Sequence, residues 1–299
     1  MAENPIFKVV LITGCSSGFG LRIAARLSAG SYHVVASMRD LDKKNNLLGE
    51  VEIRKGKLDL VRLDVTDIST IKEAIETVKS QYGRLDVLIN NAGYGIGGFF
   101  EDLSQDEIRA QMETNFFGVQ NVTREVIPLM REQGQGLIVN ISSVSGLYGL
   151  PCFGAYNASK WALEGFSESL FYELLPFGIK VCLVEPGVYK TKIFYENRRY
   201  ASRFFNQESP YYEISQAFQK RTNDHVKADN KDPEDVAILI EDIINNDNPS
   251  FRNIPDAQSR FLYLLKRFLP FRLFSWAAAK ALYAGMTTIN KGESHGKSI

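Results

Sequence analysis

Thr13-Gly14-Cys15-Ser16-Ser17-Gly18-Phe19-Gly20 follows the β-rich run Phe7–Thr13 (FKVVLIT) and opens the helical pattern Leu21–Leu27. Glycines at 14, 18 and 20 let the backbone turn sharply and come close to a ligand. The helix that follows offers N–H groups and the positive end of its dipole, a setting that suits a pyrophosphate. Gly14, Ser16, Ser17, Gly18, Phe19 and Gly20 are the candidate residues. The spacing differs from the GxGxxG fingerprint, and a glycine turn without a ligand reads the same way. The strand–turn–helix context favours binding.

The alternation continues outward from this turn. His33–Ser37, Leu58–Leu63, Leu85–Asn90, Leu137–Ile141 and Ile179–Val184 read as strands. Asp67–Tyr82, Asp106–Met130 and roughly Phe153–Leu175 read as helices, with Gly118 and Pro128 as weak points in the second. Strands that are apolar throughout and alternate with helices imply a parallel sheet covered on both faces. The expected architecture is α/β, a Rossmann-type doubly wound sheet in a single domain over 1–257. Thr191–Lys231 is aromatic-rich without a clean period and is expected to be an irregular substrate loop. Asp232-Pro233-Glu234 caps a helix to about Ile244, and a last strand is expected near Ser250–Ile254. Residues 258–299 are expected to form an amphipathic helical extension.

Composition removes several alternatives. The 299 residues carry 35 Lys+Arg against 35 Asp+Glu, so no net field gathers nucleic acid. Cys15, Cys152 and Cys182 lie far apart and match no zinc spacing, and His33, His225 and His295 are scattered, so no metal site is expected. No signal peptide and no spanning run of about 18–20 apolar residues is evident, which points to the cytoplasm.

Two further segments carry chemistry. At the end of the second strand, Ser37-Met38-Arg39-Asp40 offers a choice. Asp40 would accept bonds from a ribose hydroxyl, or be a solvated turn acid; Arg39 would fork onto a 2′-phosphate. NADP(H) is the expected cofactor over NAD(H). In Tyr156-Asn157-Ala158-Ser159-Lys160, the tyrosine and lysine stand at i and i+4 on one helix face. A neighbouring ammonium favours the phenolate and moves the phenol toward working pH. A core tyrosine beside a surface lysine is the bland alternative for an isolated YxxxK.

Together these motifs resemble the short-chain dehydrogenase/reductase superfamily over about residues 6–257. They stand in order: the TGxxxGxG turn, Asp64-Val65, Asn90-Asn91-Ala92-Gly93, Asn115, Ser142-Ser143, YxxxK and Pro186-Gly187-Val188-Tyr189-Lys190-Thr191. The similarity runs to members like 17β-hydroxysteroid and retinol dehydrogenases and to uncharacterised bacterial oxidoreductases. It implies hydride transfer between a nicotinamide and an alcohol or carbonyl. By this resemblance Tyr156 is the general acid/base, Lys160 lowers its pKa and holds the nicotinamide ribose, and Asn115 holds a helix irregularity and a water relay. The family's gap before the tyrosine selects Ser143 over Ser142 as the substrate-orienting serine. Asp64 and Val65 meet the adenine, Asn91, Ala92 and Gly93 the adenosine ribose, and Pro186, Gly187, Val188 and Thr191 the nicotinamide side. The family's NAD acid position falls on Met38, with Arg39 next to it.

Tyr94, Ile96, Leu150, Phe153 and Tyr189 are the expected substrate walls, with Gly95, Cys152 and Val188 beside them. They are mainly apolar and hold no paired arginines, so the expected substrate is a hydrophobic, lipid-like carbonyl or alcohol. Epimerisation or dehydration on the same scaffold, or a non-catalytic nucleotide sensor, are the rival readings. A homodimer or homotetramer is expected. Residues 257–292 contain six bases and no acid. Phe261, Leu264, Leu265 and Phe268 share one helical face, interrupted at Pro270. This segment is expected to lie over the pocket with its apolar face inward and its bases outward. Peripheral membrane contact through 258–285 is the alternative.

Overall fold

Val9, Val10, Leu11 and Ile12 are all shielded from solvent, as a strand covered on both faces requires. The computed structural model describes residues 7–190 and 198–283. Among them the strands are β1 (Lys8–Ile12), β2 (Tyr32–Met38), β3 (Asp59–Arg62), β4 (Val87–Asn90), β5 (Ile96–Gly97), β6 (Gly136–Ile141), β7 (Ile179–Val184), β8 (Arg199–Tyr200) and β9 (Arg252–Asn253). The helices are α1 (Gly18–Ser28), α2 (Asn45–Ile53), α3 (Ile68–Tyr82), α4 (Gln105–Met112), α5 (Gly118–Gln133), α6 (Gly154–Leu174), α7 (Tyr212–Ala228), α8 (Glu234–Asn245), α9 (Ala257–Phe268) and α10 (Phe271–Leu282).

Seven strands form one parallel sheet in the order β3-β2-β1-β4-β6-β7-β9. The order reverses between β1 and β4, where Ile12 and Ile89 are register partners. Chain connections leave that point in opposite directions and open a crevice beyond the strands' carboxyl ends. The doubly wound α/β reading holds. Alternation along each strand divides the core in two. Val10 and Ile12 share one side with Ile23, Leu27, Leu47, Val236 and Ile240 of α1, α2 and α8. Val9 and Leu11 share the other with Ile71, Val78, Val126, Met130 and Leu170 of α3, α5 and α6.

Three segments depart from the sequence reading. The single helix expected over Asp106–Met130 is α4 and α5 joined by a π turn, Glu113–Phe117. The stretch Thr191–Lys231 is not irregular throughout. It contains α7, and β8 pairs in parallel with β5 through Ile96↔Arg199. Only Ser215, Phe218 and Val226 of α7 are buried, too sparse a set to print a helical period on the sequence. In the C-terminal extension Arg260, Arg267, Arg272 and Lys280 face outward as expected, but the apolar face does not turn inward. Phe261, Leu264 and Phe268 point to solvent, at 61, 44 and 76% exposure, while one of the bases turns inward. That base is Lys266, whose Nζ donates to the Leu147 carbonyl and lies 4.2 Å from the Trp161 ring.

Candidate active site

The glycine turn sits at the carboxyl edge of β1, pinned from both sides. Cys15 N donates to the Ser37 carbonyl (2.8 Å) and Thr13 N to the Ile89 carbonyl (3.0 Å). Asn91 is the clamp. Its Nδ2 donates to the carbonyls of Thr13 (2.8 Å) and Gly14 (3.1 Å), while Thr13 Oγ1 accepts from the N–H groups of Asn91 and Ala92. A Cβ at Gly20 would stand 2.3 Å from Asn91 Nδ2, and one at Gly14 2.8 Å from Ala92 Cα. Those two glycines are therefore dictated by the protein's own packing. Gly14 (φ 74°) and Gly18 (φ 61°) also take left-handed backbone. Ser16, Ser17, Gly18 and Phe19 are half-buried at the crevice, and the first turn of α1 carries no acidic side chain. Nothing inside that turn neutralises the positive end of the helix, so the site fits an anionic phosphate.

At the next strand ends, Met38 is fully buried and can contact no ribose. Asp40 caps the following turn, accepting from Asp42 N at 3.0 Å, which is the turn-acid reading of that residue. Arg39 reaches into solvent, its side chain 65% exposed and its Nε 3.9 Å from Asp64 Oδ2. Asp64 Oδ1 accepts from the N–H and hydroxyl of Thr66 at 3.0 and 2.8 Å. Val65 is buried beneath Gly118, where a Cβ would meet Val65 Cγ2 at 2.6 Å. Gly118 thus lets α5 close onto the end of β3.

The π turn sets Asn115. Fully buried, it accepts from Tyr94 N (3.1 Å) and donates to the Tyr94 carbonyl (2.9 Å) and to Ser159 Oγ (3.1 Å). Gly93 leaves it room, since a Cβ there would lie 3.1 Å from Asn115 Oδ1. On α6, Tyr156 is half-buried and Lys160 buried. Lys160 Nζ is 5.9 Å from the Tyr156 ring and donates to the Ile141 carbonyl at 2.8 Å. Burial pulls the lysine down to about 8, with the Glu164 carboxylate opposing. Burial also holds the Tyr156 phenol above its ordinary value, offset in part by a hydrogen bond with Ser143. Ser143 thus eases the phenol downward from beside it, and Lys160 stands on the same helix face. Ser143 Oγ accepts from Ser145 N (3.1 Å) and donates to the Pro186 carbonyl at 3.4 Å.

Behind Lys160 lies a charged group that sequence reasoning missed. Arg252 NH1 of β9 bridges Glu164 of α6 and Glu185, just past the end of β7, the latter at 2.7 Å and fully buried. Burial pushes Glu185 up to about 8, reinforced by the Glu164 charge and opposed by Arg252. Glu164 stands one helical turn after Lys160, and that i, i+4 spacing was its available signal.

Ile96, Leu150, Phe153 and Tyr94 gather near β5 and the start of α6, three of them in one apolar cluster with Ala155 and Phe204. Ile96 N donates to Gln111 Oε1 at 2.9 Å, and Leu150 O accepts from Asn157 at 2.9 Å. A cavity of about 360 Å³ beside Tyr94 and Ile96 is also lined by Glu107 and Arg199, more polar than expected, and includes neither Tyr156 nor Ser143. Tyr189 is a correction. It is 1% exposed in the core beneath α1 and α8, edge-on to Phe19 at 5.5 Å, and is not among the residues lining that cavity. Pro186 is buried, and Gly187 and Val188 are half-buried. Gly187 N donates to Asp256 Oδ2 at 3.3 Å, which ties the start of α9 to this loop. Thr191 lies outside the described residues.

Comparison with known proteins agrees with this layout. The family model described as short chain dehydrogenase matches residues 8–201. An uncharacterised oxidoreductase, YusZ of Bacillus subtilis, is 39% identical over 92% of this chain and 96% of its own. The 3-ketodihydrosphingosine reductase of Bacteroides thetaiotaomicron is 45% identical over 64% of this chain and 67% of its own. Among solved structures, actinorhodin polyketide ketoreductase with NADPH superposes with a TM-score of 0.70 at 31% identity, covering 83% of this chain and 95% of its own. A Burkholderia phymatum short-chain dehydrogenase/reductase in complex with NAD superposes with a TM-score of 0.76 at 26% identity, over 87% and 93%. Related proteins thus bind one or other nicotinamide coenzyme, and this chain, with its reversing parallel sheet and its Asn115, Ser143, Tyr156 and Lys160 side chains, belongs to the short-chain dehydrogenase family.

Proposed function

We propose that this oxidoreductase uses NADP(H) to interconvert the carbonyl and alcohol of a hydrophobic, lipid-like substrate. The observation that carries the reading is the convergence of Ser143, Tyr156 and Lys160 at the carboxyl edge of the sheet, with Asn115 bonded to Ser159 beside them. When bound, the coenzyme supplies or takes up the hydride at the substrate carbon. The protein's part is the proton. The Ser143 hydroxyl orients the substrate oxygen, and the Tyr156 phenol donates to it as charge develops there. A phenol above its ordinary pKa is fully protonated at neutral pH, the form that reduction needs. Lys160, at about 8, is mostly charged at neutral pH and stabilises the phenolate left behind. Asn115 holds the π turn and the Tyr94 backbone in place through its three hydrogen bonds.

The substrate class is supported by the apolar cluster around Ile96 and Phe153 and by the sphingoid ketone in one relative's name. A panel of ketones followed through NADPH absorbance tests it. Bulky apolar ketones are expected to turn over and sugar acids are not; the reverse ranking would overturn the class. A homo-oligomer is part of the same reading, supported by the exposed Phe117, Trp161 and Tyr172 on the outer faces of the π turn and α6.

The NADP(H) preference rests on Arg39, which the fold leaves extended and weakly held. Arg39→Ala is expected to weaken NADPH roughly ten- to a hundredfold, the loss of one charge-assisted bond to the 2′-phosphate. NADH should change by no more than a few-fold. Titration of each coenzyme against both proteins measures this, and equal weakening of the two would reject the assignment.

A further inference from the structure

We propose that α9 and α10 form a docking surface for an anionic membrane, with the corner between them as its leading edge. The corner is Phe268-Leu269-Pro270-Phe271. Phe268 is 76% exposed and Phe271 73%, and Leu269 and Pro270 are exposed as well. Phe261 and Leu264 of α9 and Leu273 and Trp276 of α10 extend this apolar surface on either side. So many large side chains turned to solvent on two adjoining helices demand a cover.

Charge identifies the cover. Arg260, Arg267, Arg272 and Lys280 are exposed among these residues, and 257–283 contains no acid. The acid that precedes α9, Asp256, is buried and spent on Ser259 N, Gly187 N and Lys231. Aromatic and aliphatic groups rimmed by exposed bases match a bilayer interface, where rings enter the acyl boundary and long basic side chains reach the phosphates. A second copy of the chain is a poorer match. A two-fold contact through this surface would set its bases against themselves. Among the described residues no helix is long and apolar enough to cross a membrane, so the contact is peripheral.

The attachment of the two helices fits the role. Asp256 and Lys266 fix α9 to the loops at Gly187 and Leu147. At the far end, Arg221 of α7 donates to the carbonyls of Ala281 and Leu282 at 2.7 Å, and Tyr283 packs edge-on to Phe218. Both ends are held on the body of the protein and the corner projects. This surface does not depend on the proposed catalytic activity.

Flotation of the full-length protein with vesicles of phosphatidylcholine, and of phosphatidylcholine mixed with phosphatidylglycerol, tests the proposal. Binding is expected on the mixed vesicles at low salt, with little on phosphatidylcholine alone, and weakening as salt rises. Arg267→Gln and Arg272→Gln should each lower partitioning roughly fivefold. Phe268→Ser with Phe271→Ser should release the protein from vesicles while NADPH binding persists, which shows that the fold is kept. No flotation on the mixed vesicles, or equal flotation on both compositions without salt dependence, would overturn the proposal. So would a sedimentation shift from oligomer to monomer in the double serine variant, which would assign the surface to a second copy.

Discussion

Tyr156→Phe is expected to fold, to bind coenzyme as the wild type does, and to reduce an apolar ketone about 10²–10⁴-fold more slowly. The substitution deletes one oxygen from a half-buried ring. Its effect on packing is small, because Ser143 Oγ keeps its bonds to Ser145 N and the Pro186 carbonyl. What is lost is the proton donor at the substrate oxygen, and no other side chain of the group replaces it. Ser143 is far too weak an acid, and the Lys160 ammonium is committed to the Ile141 carbonyl. The wild-type pH profile follows from the same residues. Reduction should hold level below about pH 8 and decline above it, as Lys160 loses the charge that stabilises the phenolate. Single-turnover rates with saturating coenzyme measure both effects. Turnover within a few-fold of wild type would remove Tyr156 from the role of acid.

Arg252→Met should cost about 3–5 kcal/mol of stability, the usual result of breaking a buried ion pair from one side. Glu164 and Glu185 are 6% and 0% exposed, and Arg252 is the cation bonded to both. The penalty has a direction in pH. Glu185 is pushed from an unfolded value of 4.5 up to about 8 in the fold. The native state therefore keeps a proton that the unfolded chain releases. Stability from this group is fully present below about 4.5 and is lost as pH rises toward 8. Removing Arg252 raises both carboxyls further. The deficit should be smallest near pH 5 and grow toward pH 8, as urea midpoints at the two pH values would show. A deficit independent of pH would mean that packing and not charge explains the loss.

Much of this was legible in the sequence, for identifiable reasons. The glycine turn, the apolar strands and the YxxxK pair are local signals, so residues a few positions apart announced both the sheet and the Tyr156–Lys160 face. Asn115 came from family resemblance. Its physical cause, a π turn, leaves no mark on apolar periodicity. Tyr189 was misplaced because a tyrosine beside a loop reads as a pocket wall, and only the packing of α8 puts it in the core. The Arg252–Glu164–Glu185 group joins residues 67 and 88 positions apart, which no spacing rule detects. The apolar face of α9 was misplaced because amphipathicity gives a face and not the partner. Asp256 and Lys266 decide that, by fixing the helix to Gly187 and Leu147.

The central claim is proton delivery by Tyr156 coupled to transfer from a nicotinamide to a hydrophobic carbonyl. The most direct measurement supplies NADPH carrying deuterium at the reactive carbon, with an apolar ketone, to the wild-type protein and to Tyr156→Phe. The product alcohol is then analysed by mass spectrometry. A single deuterium on the carbinol carbon, formed by the wild type and nearly abolished in the variant, is the predicted result. Coenzyme consumption without deuterium in the alcohol, or equal labelling by both proteins, would contradict the account.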